Sequence, residues 1–219
     1  MEIFSKIAEI VGTSEEPVII ELGMCDGYHT KLMVAILSST GKKYTFHGFE
    51  PVRSLFSLIN LNYNSALGDV SIYNMAVGSK DEVSDLYISG GSRIENGVVM
   101  DNYYGSSSIR KPKLVLEAWK DMTFQKEQIQ VISLDTHVKN SNLKGKTIDF
   151  IWADIQGAEV DMIKGGKKTF KNVRYLYTEY CDSELYDGEI GLAEICKLLP
   201  DFEVVFDYGG DVLLKNTKL

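Results

Sequence analysis

Apolar residues along the chain follow two spacings, one typical of buried β-strands and the other of amphipathic helices. Residues 3–11 place apolar side chains largely on one helical face, and Gly12 ends that pattern. Runs of β-branched and aromatic residues then alternate with helical patterns, which predicts an α/β fold with a parallel sheet. Helices are predicted at 51–66 and 189–199. The predicted strands are 18–21, 44–50, 70–76, 129–134, 148–153 and 173–180, followed by a terminal antiparallel hairpin at 202–206 and 211–214.

The regular pattern is interrupted after the third predicted strand. Residues 82–89 predict an extra strand, whereas residues 90–126 are rich in Gly, Ser, Asn, Tyr and Lys and show no regular spacing. Segments this long without secondary structure are uncommon inside a compact domain and often carry function. We therefore expect a substrate-facing insertion or lid within one domain, residues 1–219, with contacts from Tyr103, Tyr104 and 106–108. The alternative is a mobile surface loop.

Composition narrows the class of protein. The 219 residues, 44% of them apolar, suffice for one α/β core, and the net charge of −8 with a pI near 5.0 disfavours broad binding to nucleic acid or anionic lipid. The three cysteines have no CxxC spacing, which predicts reduced thiols. No apolar run reaches the roughly 18 residues of a membrane span, and residues 1–11 lack a signal-peptide pattern. We expect a cytoplasmic protein that acts on a small molecule.

A glycine-containing turn follows the first strand, in the sequence VIIELGMCDGYHT at residues 18–30. Gly23 and Gly27 allow a tight backbone and the close approach of a ligand. Glu21 stands at the carboxyl end of the strand, where open α/β sheets bind ligands. The spacing differs from the GxGxxG dinucleotide motif and from a phosphate loop. An acid suits hydroxyl groups or a positive charge, so the turn predicts a nucleoside site without a pyrophosphate, or else a tight connection with no ligand.

Glu50 ends the second predicted strand within the sequence FEP. A βαβ unit places an acid at this point to hydrogen-bond the two hydroxyls of a ribose. Pro51 is suited to the first position of the following helix, which leaves Glu50 just outside it. The alternative is a solvent-facing acid that is favourable near a helix amino terminus.

Two further strand ends are expected at the same edge of the sheet. Asn74, Met75 and Ala76 end the third predicted strand and could border an adenine ring, although they could also be an ordinary strand end. Asp154 ends the apolar strand at 148–153. By position this strand lies beside the first one, so Asp154 would face the same crevice as the two glutamates. The alternative for Asp154 is a helix amino-terminal cap.

Five motifs occur in a fixed order between Val18 and Tyr180: ELGMCDG, FEP, NMAVG, SLD and IDFIWADIQGAE. Together they resemble the FkbM-type methyltransferases, whose patterns run approximately as DxGAxxG, FEP, a strand ending in alanine, TLD and IDxxKIDVEGAE. The resemblance implies a Rossmann-like, seven-stranded class I methyltransferase sheet with helices on both faces and a terminal antiparallel hairpin. It also implies transfer of the methyl group of S-adenosyl-L-methionine to a hydroxyl oxygen of a sugar or glycan, or of a polyketide-like acceptor.

Five positions depart from the family pattern. Glu21 stands where aspartate is usual, and Cys25 where asparagine is common. Trp152, Ala153 and Gln156 replace the lysine, isoleucine and glutamate of KIDVEGAE.

The resemblance also implies roles for individual residues. Glu21, Gly23 and Gly27 would form the turn on the methionine side, Glu50 would hold the ribose, and Asp154 would lie at the reaction centre. The full predicted cofactor-binding set is Glu21, Gly23, Met24, Cys25, Asp26, Gly27, Tyr28, Thr30, Glu50, Pro51, Asn74, Met75, Ala76 and Asp154.

Methyl transfer to a hydroxyl requires a group that orients the hydroxyl and takes or shares its proton. Asp154 is the first candidate, with Glu179 and His137 as further candidates. His29 is a fourth candidate, although we expect it to cap or line the cofactor pocket. A divalent cation such as Mg²⁺, held by Asp154 and a second carboxylate, would lower the pKa of a sugar hydroxyl. No spacing in the sequence requires a metal.

Two other classes of function stay open. One is a short dehydrogenase on a similar sheet, which the lack of GxGxxG and of a Tyr-x-x-x-Lys arrangement disfavours. The other is a binding or scaffold protein that kept the methyltransferase fold without activity. Among methyltransferase substrates, nucleic acid is disfavoured by the acidity and by the lack of a DPPY or NPPY segment, whereas a protein amine stays open.

Overall fold

The computed structural model describes residues 2–59, 68–95, 98–101 and 103–219. The helices are α1 (Glu2–Gly12), α2 (Tyr28–Ser39), α3 (Arg53–Ile59), α4 (Val115–Ala118), α5 (Leu134–Asn140), α6 (Glu159–Gly165) and α7 (Leu192–Leu198), with a 3-10 helix at Thr169–Asn172. The strands are β1 (Val18–Leu22), β2 (Tyr44–Phe49), β3 (Gly68–Tyr73), β4 (Ala76–Gly78), β5 (Glu82–Glu95), β6 (Val98–Asp101), β7 (Met122–Ser133), β8 (Ile148–Ala153), β9 (Val173–Glu179), β10 (Phe202–Asp207) and β11 (Asp211–Asn216). Among the described residues, no helix has both the length and the apolar character needed to cross a membrane.

The main sheet has seven strands in the order β10-β11-β9-β8-β1-β2-β3. Strand β1 is an interior strand and pairs in parallel with β2 and β8, so that Glu21 is in register with Gly48 on one side and Trp152 on the other. The carboxyl ends of these three strands therefore meet at one edge, on either side of the point where the strand order reverses. The predicted α/β fold, including the closing hairpin β10–β11, is confirmed.

Both faces of the main sheet are covered. Ile20 and Leu22 pack on one face against α6 and α7, whereas Ile19 packs on the other against α1 and α2. All five residues of β1 are buried. Each fully buried aliphatic side chain of this kind contributes about 1.5–3 kcal/mol to stability. Successive side chains of β1 are thus buried on opposite faces of the sheet. This alternation fixes the register of β1, and with it the position of the strand ends.

A second, four-stranded sheet has the order β4-β7-β5-β6. Two predictions were wrong here. The third strand ends at Tyr73, because Ala76 begins β4 and pairs with β7 instead. The described part of residues 90–126 does not lack regular structure, since β5 continues to Glu95 and pairs antiparallel with β7, whereas the substrate-facing role of this segment stays a prediction. This pairing joins residues 82–91 to residues 122–131. The strand structure here therefore comes from hydrogen bonds to a distant segment and is not visible in the local sequence pattern.

Some element boundaries differ from the predicted ones. Of the helix predicted at 51–66, α3 accounts for Arg53–Ile59, and residues 60–66 lie outside the described residues. The last long helix, α7, begins at Leu192 and not at residue 189. Glu189 belongs instead to a turn in which its carboxylate accepts the backbone N–H of Tyr186, at 3.0 Å.

Candidate active site

The turn after β1 is held tightly against the end of β8. Gly23 has φ +81°, a left-handed conformation that favours glycine. Its backbone N–H donates to the carbonyl of Phe49 at 3.0 Å. A β-carbon at Gly23 would lie 1.9 Å from the backbone oxygen of Asp154. Only glycine therefore allows the ends of β1 and β8 to approach this closely.

Glu50 links the ends of β1 and β2. Its side chain is only 3% exposed, and its two oxygens accept the backbone N–H groups of Cys25 at 2.8 Å and Val52 at 2.7 Å. Burial raises the pKa of Glu50 to about 7, although these backbone hydrogen bonds oppose the rise. Each carboxylate oxygen has two lone pairs, so both can still accept a ligand hydroxyl.

Asn74 stabilises the main chain just after β2. Its side-chain amide donates to the carbonyl oxygens of Glu50 and Pro51, each at 2.9 Å. Met75 and Ala76 follow it and line a cavity at the edge of the sheet, whereas Asn74 does not. Of the three predicted residues, Asn74 thus stabilises the backbone beside the cavity, whereas Met75 and Ala76 form part of the cavity wall.

The first cavity lies at the carboxyl ends of β1, β2 and β8. Its empty volume is about 570 Å³ with the open mouth included. Seven residues of the predicted cofactor set line it: Gly23, Cys25, Glu50, Pro51, Met75, Ala76 and Asp154. The remaining lining residues are Leu22, Phe49, Val77, Leu86, Gly105, Ser107, Ser108, Ile109, Ile155, Gln156 and Ala158. The cavity is therefore mainly apolar, with carboxyl groups at two points.

Glu21 lies behind the cavity wall. It is fully buried, and one carboxyl oxygen accepts the hydroxyl of Thr30 at 2.5 Å. Its other oxygen, Oε1, has no hydrogen-bond partner among the described residues. Burial raises the pKa of Glu21 well above its ordinary value. The predicted contact of Glu21 with a cationic ligand stays a prediction.

The other predicted turn residues build the connection between β1 and α2. Met24 is buried, and Gly27, with φ 74°, immediately precedes the helix. The carboxylate of Asp26 accepts the backbone N–H of Tyr28 at 2.9 Å, and the side chain of Tyr28 is 60% exposed. None of these four residues lines the first cavity.

A second cavity adjoins the first. The two share the residues Gly105, Asp154 and Gln156. The second cavity has an empty volume of about 930 Å³, open solvent included. Its other lining residues are Arg93, Tyr103, Ser106, Val115, Trp119, Glu179, Tyr180, Cys181, Leu185, Tyr186, Glu189, Gly210 and Asp211.

Aromatic rings and carboxyl groups dominate the second cavity. The guanidinium of Arg93 lies over the rings of Trp119, at 4.2 Å, and Tyr103, at 5.0 Å. Of the predicted substrate contacts, Tyr103 and residues 106–108 line one cavity or the other, whereas Tyr104 lines neither. Trp119 was not predicted, because no local pattern distinguishes this tryptophan from a core residue.

Asp154 and Glu179 form a pair of carboxyl groups where the cavities meet. The side-chain amide nitrogen of Gln156 lies 2.7 Å from Asp154 Oδ1 and 2.7 Å from Glu179 Oε2, and donates to both. Burial raises the pKa of Asp154, while the hydrogen bonds from Gln156 and Glu179 oppose that rise. Burial and then the charge of Asp154 raise the pKa of Glu179 well above its ordinary value. Of the two carboxyl groups, Glu179 is therefore the one that more readily holds a proton.

The structure does not bring His137 or His29 into this pair. His137 is buried in α5, and its Nε2 lies 2.8 Å from Nδ1 of His47. His29 packs against the rings of Phe4 and Trp152. Neither histidine lines either cavity. The geometry therefore disfavours His137 as a base, because its helix turns the ring back into the core beside β2.

A divalent cation is not supported by the side chains present. Within the described residues, no group of three or more His, Cys, Asp or Glu side chains could hold a metal ion. Asp154 and Glu179 are joined by the amide of Gln156, which is a hydrogen-bond donor and not a metal ligand in this orientation. The geometry of these two carboxyl groups therefore does not support the divalent cation that Asp154 and a second carboxylate could have held.

The chain is similar to known proteins in sequence and in structure. A family model described as "Methyltransferase FkbM domain" matches residues 21–208. The curated 2-O-methyltransferase NoeI of Sinorhizobium fredii is 34% identical over 209 residues, which are 93% of this chain and 81% of that protein. The crystal structure of methyltransferase FkbM from Methylobacillus flagellatus KT superposes with a TM-score of 0.51 at 14% identity, covering 92% of this chain and 44% of that one. The chain thus spans less than half of that solved structure, and this likeness concerns the fold alone.

Proposed function

This chain belongs to the FkbM methyltransferase family, and we propose that it transfers the methyl group of S-adenosylmethionine to a hydroxyl oxygen of a sugar. Family membership implies this methyl donor, and similarity to a 2-O-methyltransferase supports transfer to oxygen. The observation that carries the proposal is the junction of two cavities at Asp154, since methyl transfer needs separate places for donor and acceptor on either side of one reacting point.

The first cavity fits the methyl donor. Glu50 lines this cavity, and its proposed role is to accept the two ribose hydroxyls, in the manner of acids that end the second strand of nucleoside-binding sheets. Met75 and Ala76 offer apolar contact to a flat base, and the Gly23 turn allows close approach of the backbone. The bound donor supplies a methyl carbon that is already activated by its sulfonium group. The protein then has only to align the acceptor and manage one proton.

The second cavity suits a sugar. A sugar ring presents hydroxyls around its edge and C–H groups on its faces, so it needs hydrogen-bond acceptors beside aromatic surface. Glu189 and Asp211 supply carboxyl groups, and Tyr180 and Tyr186 supply rings. A neutral polyhydroxylated acceptor meets this combination better than an apolar one does.

Asp154 is our proposed base. It lines both cavities, so an acceptor hydroxyl bound in the second cavity could reach it while the donor occupies the first. The hydroxyl loses a proton as it is methylated, and the proposed role of Asp154 is to take or share that proton. The raised pKa of Asp154 makes it a stronger base than an ordinary aspartate.

Calorimetric titration with S-adenosylhomocysteine tests the first cavity. The unaltered protein should bind, and Glu50→Gln should weaken binding at least tenfold, because an amide accepts fewer hydrogen bonds than a carboxylate. Glu203→Gln is the matched control, since Glu203 is exposed on β10, away from both cavities, and should bind normally. Failure of the unaltered protein to bind would sink the methyltransferase proposal.

Transfer to sugar tests the second cavity. The protein is incubated with S-adenosylmethionine carrying a labelled methyl group and with a panel of monosaccharides and oligosaccharides. Mass spectrometry should find the label as an O-methyl ether, and Asp154→Asn should reduce its formation at least a hundredfold. If S-adenosylhomocysteine binds tightly and no sugar becomes labelled, the result would contradict the sugar acceptor and favour a scaffold role.

A further inference from the structure

Gln156 occupies a constrained place between β8 and α6. Its φ is +53°, in the left-handed region that non-glycine residues rarely adopt and that costs about 1–2 kcal/mol. The hydroxyl of Ser108, from the segment that follows the second sheet's β6, donates to the backbone carbonyl of Gln156 at 2.7 Å. The main chain is therefore held in an unfavourable conformation, which is a common property of residues that serve a site.

The side chain of Gln156 uses both hydrogens of its amide. Its amide nitrogen, Nε2, lies 2.7 Å from an oxygen of Asp154 and 2.7 Å from an oxygen of Glu179. An amide NH₂ has two hydrogens, so each carboxyl group receives one of them. The amide oxygen lies on the other side, 3.4 Å from the hydroxyl of Tyr186. The reverse orientation would set the amide oxygen beside the charged carboxyl group of the pair, and repulsion disfavours it.

Two carboxyl groups bound to the same nitrogen cannot both carry a charge at low cost, because like charges this close repel each other. The pair therefore holds one proton and one negative charge. A charged residue at position 156 would change that balance, whereas the neutral amide connects the two groups without adding charge. Through its two hydrogen bonds, Gln156 fixes both the separation and the direction of the pair.

Resting on the methyl transfer proposed above, we propose that Gln156 is a positioning residue that clamps Asp154 and Glu179 and so keeps Asp154 ionised and aimed at the junction of the two cavities. It acts through the two carboxyl groups and not on the acceptor itself. Removal of the amide frees Asp154 to turn and raises the proton affinity of the pair, because the two hydrogen bonds favour the ionised form.

Variants at this position separate positioning from a merely structural role. Gln156→Met keeps the length of the side chain without its donors, and Gln156→Glu adds a third carboxyl group. In both, the acidic limb of the kcat profile against pH should move to higher pH by about one unit, so that kcat at a given pH on that limb is reduced about tenfold. Higher pH should restore most of the activity. Gln125→Glu, on an exposed position of β7, is the control and should leave the profile unchanged.

A second measurement works without any acceptor. In protein labelled with ¹³C at aspartate and glutamate carboxyl carbons, the pair's titration is followed by NMR in the unaltered protein and in Gln156→Met. The titration should move upward in Gln156→Met and should stay unchanged in the control Gln125→Glu. An unchanged titration in Gln156→Met would overturn the proposal. If the unaltered protein methylates no sugar, that result counts against the proposed function alone, and the NMR titration decides the role of Gln156.

Discussion

The carboxylate of Glu50 and the backbone N–H of Cys25 lie 2.8 Å apart and join the ends of two neighbouring strands. The acid proposed to bind the ribose thus also holds the turn that forms the floor of the first cavity. Because a second backbone N–H, that of Val52, completes the arrangement at 2.7 Å, the carboxylate is oriented before any ligand arrives.

Binding of S-adenosylhomocysteine should strengthen as pH rises through 7. Burial raises the pKa of Glu50 to about 7, and the ionised form is the better acceptor for two hydroxyls. With that pKa the ionised fraction, and hence the affinity, rises about tenfold between pH 6 and pH 8. Calorimetry at pH 6, 7 and 8 measures the change. Glu50→Gln has no titrating group at this position, so a tenfold change in that variant as well would refute the assignment.

Gly23→Ala should abolish binding of the same ligand and destabilise the fold. The added β-carbon would lie 1.9 Å from the backbone oxygen of Asp154, so the ends of β1 and β8 would have to separate. Gly41→Ala is a matched control, because Gly41 has a similar φ of +68° with no atom within 4 Å of the added carbon. It should cost only about 1 kcal/mol of stability and leave binding intact. Equal losses in the two variants would show that backbone conformation, not the close approach, decides the effect.

Asp149→Ala should destabilise the protein without altering the site. The buried carboxylate of Asp149 accepts Arg174 Nη1 at 2.8 Å and the backbone N–H of Val18 at 2.9 Å, at the end of the strands opposite the cavities. Removal of one partner of a buried ion pair costs about 3 kcal/mol, which urea unfolding would detect. Asp85→Ala, which breaks an exposed pair with Lys126, should leave the unfolding midpoint unchanged. Loss of ligand binding in folded Asp149→Ala would contradict this separation.

The His47–His137 pair should make stability fall as the solution becomes acidic. Burial lowers the pKa of each ring to about 4, so below pH 6.5 the unfolded chain binds protons that the folded chain does not. The stabilising contribution is present above pH 6.5 and is lost as pH falls towards 4. His137→Gln should remove about 1 kcal/mol of the loss between pH 7.5 and 5.5, as measured by urea unfolding at both pH values.

The variant must be compared with the unaltered protein because the buried acids act in the opposite direction. Carboxyl groups with raised pKa values, such as Glu50, favour the folded state as pH falls. They are common to both proteins and cancel in the difference. The same dependence on pH in both would show that the folded protein takes up a proton at His137 as readily as the unfolded chain does, and would contradict the prediction.

The main sheet and three strand-end acids could be predicted because short stretches of sequence identify them. The β-branched run at Val18 to Ile20 and the apolar run before Asp154 each identify a buried strand, and parallel pairing then brings the strand ends together. For Glu50, an acid followed by proline marked the end of β2. The position of Glu21 behind the cavity wall could not be predicted, since burial depends on the packing of Thr30 from the next helix.

The second sheet could not be predicted because its order comes from distant pairing. Gly90 and Gly91 belong to a segment that has the composition of a loop, yet they pair with Thr123 and Met122 across the sheet. The second cavity was missed for the same reason. Its walls combine Arg93 of β5 with residues such as Asp211 of β11, which lie more than a hundred positions apart in the sequence.

The segment at residues 105–109 borders both cavities, since Gly105 faces each of them, Ser106 faces the second, and Ser107, Ser108 and Ile109 face the first. One stretch of chain therefore forms part of the wall on the donor side and part of the wall on the acceptor side. Occupancy of one cavity should change the affinity of the other cavity for its ligand, and thermodynamic linkage requires that donor and acceptor change each other's affinity by the same factor.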